Sequence, residues 1–215
     1  MMSRDDKQTI KMAHASGRAR VAIQVADPQD ETRLLATLTS AFINDPPVRW
    51  LYPEPDRYLQ HYPAFARAFG GGAFKAGTAW RSDDFAACAL WYAPDSEPNE
   101  EALIAVIEET ITPQRHTEVF AVLDAMGKVH PTEPHWYLPL IGVDTASQGR
   151  GLGATLMRET LALCDQDGLP AYLESSNPRN IPFYERHGFR QINPLSVGSC
   201  PPIVPMWHEA YGVRS

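Results

Sequence analysis

The chain has 215 residues, of which 44% are hydrophobic, 10% aromatic and 21% charged, the composition of one large globular domain with a sizeable core and not of a disordered or fibrous chain. The formal net charge is −7, and because residues 1–20 hold five Lys/Arg against two acids, the rest carries 14 basic and 24 acidic residues; such a body repels a phosphate backbone, excludes nucleic acid as a partner and suits a cationic one. No run approaches the roughly 18 apolar residues of a membrane helix and the start MMSRDDKQTI lacks the apolar stretch of a secretory signal, so a cytoplasmic protein without a membrane partner is expected.

Residues 1–20 are polar and without period, and read as a flexible extension before a single domain spanning 21–215. Val21, Ile23 and Val25 alternate as a strand does, and Asp27-Pro28 supplies a cap and a first-turn proline for a helix with Leu34, Leu38 and Phe42 on one face. Pro46-Pro47 is expected to end that helix. A proline- and aromatic-rich stretch follows (Trp50, Tyr52, Tyr58, Tyr62), after which Phe65 and Phe69 resume a helical spacing as far as Gly70-Gly71-Gly72. Strands are expected at 78–81 and 85–92, then a helix from the acidic stretch 95–101 through Ile107 and another over 113–126, ending at Gly127. Cys88, Cys164 and Cys200 are odd in number and lack CxxC or Cys/His spacing, so they read as buried thiols.

The C-terminal half is punctuated more sharply. His135 to Val143 is an apolar strand interrupted by Pro139, which has no amide hydrogen to give and marks an edge, a bulge or a point where two strands splay. After it, Gln148-Gly149-Arg150-Gly151-Leu152-Gly153 opens an amphipathic helix stopped by Gly168-Leu169-Pro170. A strand AYLES, a short helix at 181–187 closed by Gly188, and two strands that read as a hairpin (189–192 and 203–209) complete the order β-α-α-β-β-α-α-β-α-β-α-β-β.

Three glycines between an apolar strand and a helix let several backbone amides and a helix N-terminus converge on one anion, and Arg150 adds a fixed charge suited to a pyrophosphate. The segment GRGLGA also meets a relaxed dinucleotide fingerprint, with Glu174 about twenty residues on, but too little chain remains after Glu174 for the further parallel strands that fold requires. A nucleotide-triphosphate loop is excluded because no GK[ST] follows the glycines. His130, Glu133 and His135, separated by Pro131 and Pro134, do not make a tetrahedral site, and no metal is expected.

QGRGLG after a strand ending in GVD, followed about thirty residues later by LESSNPRNIPFYERHGF, resembles the GNAT superfamily of acetyl-CoA-dependent N-acetyltransferases, and within it the puromycin N-acetyltransferase-like branch, which shares an NLPFYER-type helix. The resemblance implies an α/β single domain with a mixed, centrally splayed β-sheet flanked by helices, and acetyl-CoA as cosubstrate. It places the pyrophosphate on Gln148, Gly149, Arg150, Gly151 and Gly153, with Leu152 and Ala154 packing behind. It runs the pantetheine arm along Ile141, Gly142 and Val143, with Asn177 and Asn180 beside it, and makes Tyr184 the acid that protonates the departing thiolate. Read without the family, Tyr184 is a core aromatic next to Phe183.

An alkylammonium with a pKa near 10.4 is neutral about once in 2,500 molecules at pH 7, so attack on a thioester needs a base or a proton relay. Glu174 at the end of its strand ranks first, and His135 and Tyr137, on one face of theirs, are the alternatives. The reading is an N-acetyltransferase acting on a small-molecule primary amine by direct attack. The alternative is a non-catalytic acyl-CoA-binding sensor. Drug, polyamine, amino acid and protein N-terminus remain open as acceptor, and the sequence is compatible with a homodimer.

Overall fold

Alternation of side chains seeds a seven-stranded sheet in the computed structural model, which describes residues 21–94, 96 and 98–210. The expected N-terminal extension lies outside the described residues. The strands are β1 (Ile23–Val25), β2 (Ala79–Ser82), β3 (Ala87–Tyr92), β4 (Trp136–Val143), β5 (Ala171–Ser175), β6 (Arg190–Gln191) and β7 (Val204–His208), in the spatial order β1-β2-β3-β4-β5-β7-β6. Every pairing is antiparallel except β4 with β5, and β6 and β7 form the expected hairpin, with β7 inserted between β5 and β6.

The helices are α1 (Glu31–Ala41), α2 (Pro46–Leu51), α3 (Pro55–Gly70), α4 (Gly72–Ala76), α5 (Glu100–Thr110), α6 (Pro113–Val129), α7 (Leu152–Asp167) and α8 (Ile181–Glu185). Pro46-Pro47 therefore opens a helix where the sequence suggested only a stop. Asp45 is its cap, accepting the Val48 amide at 3.2 Å, and a proline at the first helical position loses nothing because that amide would have no partner. Likewise Pro55 opens α3, a 16-residue helix that runs through Pro63 and takes in half of the proline- and aromatic-rich stretch. Gly127 does not end α6, which continues to Val129 with His130 as its cap.

Two apolar layers sandwich the sheet. Leu34 and Leu38 of α1, Tyr62 and Ala66 of α3 and Ile107 of α5 pack with Cys88, Leu90 and Leu140 on one face, while Leu152, Leu156, Met157 and Leu161 of α7 cover Ala89, Leu138, Leu173 and Met206 on the other. All three cysteines are free and buried. Among the described residues no helix is long and apolar enough to cross a membrane.

The centre of the sheet holds its main irregularity. Tyr137 faces Tyr92 and Leu140 faces Leu90, so three steps of β4 oppose two of β3, and the surplus residue lies at Leu138-Pro139. On its other side β4 pairs with β5 only at Trp136↔Ala171 and Tyr137↔Tyr172, whereas β5 stays paired with β7 as far as Ser175. The two central strands thus part company at the proline, which is both a bulge and the start of a splay. Their separated C-terminal ends leave the backbone of residues 138–143 free of β5.

Candidate active site

At the far end of β4, Gly149 (φ +74°) and Gly151 (φ +83°) adopt the left-handed conformation that L side chains resist, which is why this loop needs glycine. Gly151 caps α7, and the first helical acceptor bond is Thr155 N–H to its carbonyl at 3.0 Å, so the amides of residues 152–154 have no helical partner. A Cβ built at Gly149 or Gly151 meets nothing within 4 Å, so the space over the loop is open. Gln148 reaches back to donate to the Val143 carbonyl at 3.2 Å, and exposed Arg150 lies near Ser147. The Ser82 hydroxyl and the Ala86 amide, with Arg150 further out, hold the Asp84 carboxyl below its ordinary value. Leu152 is buried in the core, and Gly153 packs near Val143 and Phe183, tying α7 to β4 and α8.

On the opposite face of the sheet, just past the point where β4 and β5 separate, four titratable groups meet. Glu174 alternates on β5 with Tyr172 and lies beside Tyr137 of β4. Its side chain is only 4% exposed, and its Oε1 is 3.7 Å from His130 Nδ1, whose ring is 32% exposed. His130 stands edge-on to Tyr137 and Tyr172, with centroids at 4.8 and 4.9 Å. Burial, reinforced by the Glu174 charge, pushes both phenols far above their ordinary value, so they stay protonated; Tyr172 faces the carboxylate without a hydrogen bond of good geometry.

His135 stands one ring further out. Its Nδ1 lies 2.7 Å from the Glu133 carbonyl, which can only accept, so that nitrogen carries the proton. Burial, with His130 close by, lowers its pKa, and the ring is neutral with Nε2 as acceptor. The proton across the 3.2 Å contact between the two Nε2 atoms therefore belongs to His130. His130 Nδ1 is left turned to Glu174, as a lone pair in the neutral ring or as N–H⁺ in an ion pair with the carboxylate.

Glu174 and Ser176 form the sheet side of an open pocket of about 770 Å³. Its other walls come from Phe42 at the end of α1, Val48 and Trp50 of α2, Phe65 and Phe69 of α3, and Val119, Leu123 and Met126 of α6. Of the aromatic stretch Trp50, Tyr52, Tyr58 and Tyr62, Trp50 and Tyr62 line this space, while Tyr52 and Tyr58 are buried in the core. Behind the rim, Ser176 Oγ donates to Asp45 Oδ2 at 2.5 Å, stitching the start of α2 to the loop after β5. Burial raises the Asp45 pKa against the pull of its Ser176 and Val48 donors.

The other residues singled out from sequence fall as follows. Ile141 and Val143 are half-buried on the splayed end of β4, on the α7 side of the sheet, and Gly142 between them is buried so tightly under α1 that a Cβ would sit 2.7 Å from that of Ala41. Asn177 precedes the short helix instead of lying on it and accepts the Arg179 amide at 3.1 Å; Asn180 is exposed at the start of α8. Tyr184 is a buried member of the α7-side core, edge-on to Phe183 and Phe189. Burial, with the charge of Asp45 adding to it, raises its phenol, which places Asp45 near both Tyr184 and Ser176. Sequence reasoning missed the pairing of His130 with Glu174, Tyr172 and Asp45. The i, i+2 alternation of Tyr172 with Glu174 was there to be read, as was the Asp-Pro cap, but the approach of His130 depends on how residues 130–135 turn back onto the sheet.

A model described as the acetyltransferase (GNAT) family matches residues 35–189. An uncharacterized N-acetyltransferase of Schizosaccharomyces pombe is 27% identical over 191 residues, 79% of this chain and 74% of that protein. The histone acetyltransferase HPA2 and related acetyltransferase of Corynebacterium glutamicum is similar in structure, with a TM-score of 0.63 at 21% identity, covering 91% of this chain and 99% of that one. The polyamine N-acetyltransferase of Drosophila melanogaster, which forms N-acetylagmatine, gives 0.62 at 14% identity over 88% of this chain and all (100%) of its own. At such identities the structural likenesses speak for the fold, while the family model spans well over half of the sequence: the chain belongs to the acetyltransferase (GNAT) family and is an N-acetyltransferase.

Proposed function

We propose that the protein transfers an acetyl group from acetyl-CoA to the primary amine of a small molecule by direct attack on the thioester. The observation that carries this reading is the restriction of β4–β5 pairing to Trp136 and Tyr137, which leaves an opening between the glycine loop and the pocket that Glu174 borders. The loop suits the donor: two positive-φ glycines keep side chains out of the space above it, and the unpaired amides at the start of α7 and Arg150 favour a pyrophosphate there. The backbone of Ile141 and Val143, unpaired with β5, suits the amides of the arm, the Val143 carbonyl also accepting from Gln148, with Asn177 and Asn180 across the opening. Bound acetyl-CoA supplies an acyl carbon activated by a thiolate leaving group.

The chain's own residues manage the protons. Glu174 accepts the proton of the attacking ammonium, and His130 Nδ1 extends the path toward solvent, since the ring can take that proton while its own Nε2–H keeps donating to His135 Nε2. As the new C–N bond forms and the C–S bond breaks, Tyr184, kept protonated by burial, donates to the sulfur, and the second proton that the nitrogen sheds on becoming an amide restores the phenol. The products are the N-acetylated amine and free CoA. An amine acceptor agrees with the acidic body and with the polyamine enzyme of similar fold.

Thiol release from acetyl-CoA in the presence of a panel of amines tests the reading, and puromycin in the panel tests the narrower likeness of the FYER helix. Glu174→Gln keeps the shape and should lower kcat/KM by about 10²–10⁴ while removing the acid limb of its pH profile. Tight CoA binding with no thiol release from any amine would replace this reading with that of an acyl-CoA sensor.

A further inference from the structure

Accepting the transfer reading above, we propose that the acceptor is a monoamine with an apolar body, one primary amine on an alkyl or aryl chain, and that the pocket selects against polyamines. The argument rests on where charge is present in the pocket and where it is missing. Of the nineteen residues that line it, Glu174 is the only Asp, Glu, Lys, Arg or His, and it lies on the sheet side together with Ser176, Pro139 and Leu140. An ammonium held by Glu174 must direct its carbon substituent toward the helices.

On that side the walls are hydrocarbon and rings: Phe65, Phe69, Ile107, Val119, Leu123 and Met126. Phe42, Tyr62, Phe65 and Phe69 stand in a row with successive centroids 5.7, 6.3 and 5.8 Å apart and planes inclined by 30°, 26° and 15°, an aromatic wall suited to an aromatic group or an extended alkyl chain. A second ammonium would be stripped of water there and left without a counter-charge. Asp45, the carboxylate bonded to Ser176 of the lining, is not itself part of the lining and already accepts the Val48 amide and the Ser176 hydroxyl. Glu118 points elsewhere, accepting the Ser199 amide at 2.6 Å.

Calorimetry on the full chain with CoA present, using n-alkylamines from butyl to octyl, 2-phenylethylamine and α,ω-diamines of matching length, tests this, run beside thiol release from acetyl-CoA with the same amines. Affinity should rise about two- to fourfold per methylene along the monoamines, and each diamine should bind at least about 30-fold more weakly than the monoamine of equal length. Leu123 is half-buried on the helix side, so Leu123→Glu should fold and raise diamine affinity about tenfold or more. Affinity that is absent, flat with chain length, or equal for diamines and monoamines overturns the proposal. The expected binding ladder without thiol release upholds the pocket's selectivity and defeats the transfer reading, so the two failures are distinguishable.

Discussion

At the scale of single residues, the site depends on how one carboxylate is surrounded. Glu174 is almost fully covered, yet one of its neighbours is a partly exposed imidazole at 3.7 Å. If His130 is the outlet for the proton, His130→Phe keeps ring contacts with Tyr137 and Tyr172 but abolishes the outlet, and kcat/KM at pH 7 should fall about three- to tenfold. A kcat/KM within twofold of the parent would assign His130 a packing role. Tyr184 makes the complementary case: Tyr184→Phe removes one oxygen from a buried, protonated phenol, so coenzyme affinity should change by less than about 1 kcal/mol while kcat falls roughly 10–10³-fold. A turnover within twofold of the parent, measured where chemistry limits the rate, would leave Tyr184 as the core aromatic that its packing against Phe189 also explains.

At the scale of elements, two short motifs decide the geometry. Asp45 caps α2 and receives the Ser176 hydroxyl, so Asp45→Ala removes the acceptor of two donors at once and should cost about 1–2 kcal/mol in denaturant unfolding. Asp45→Asn can hold the Val48 amide through its oxygen while its Nδ2 donates to Ser176, and it relieves the burial of a charge, so it should stay within about 0.5 kcal/mol of the parent. In the glycine loop, Gly151→Ala should cost about 1 kcal/mol of stability because of its φ of +83°, with no clash inside the protein. At Gly153, where φ is ordinary and a Cβ would meet Val143 at 3.4 Å, alanine should be tolerated. Equal losses at both positions would show that the loop is sensitive to bulk and not to conformation.

For the whole molecule, two buried histidines set the response to acid. His135 and His208 both have pKa values lowered by burial, so the native state holds them neutral. The unfolded chain takes up protons first as pH falls below about 6.5, and the stability these histidines contribute, complete above that pH, is lost as pH drops through their lower native values. The melting temperature should therefore fall between pH 7 and 5. In His208→Gln that fall should be smaller, and an identical pH dependence in the variant would remove His208 from the account.

Local chemistry made much of the molecule readable. The glycine loop, the apolar runs of β3 and β4, the α7 stripe and the final hairpin are each specified by residues close in sequence, through turn conformation, alternation and the 3.6-residue period, and all lie within a few residues of where those patterns place them. The same logic put Glu174 at a strand end and Pro139 at a break in pairing. Asp45-Pro46-Pro47 misled because a proline pair ends one helix and begins the next with equal ease; which happens depends on whether Asp45 can be buried against Ser176, 131 residues away. The approach of His130 to Glu174 and the assembly of Trp50 and Tyr62 with side chains of α3 and α6 into a pocket depend on contacts between elements far apart in the chain. No local period encodes them, and tertiary packing decided them.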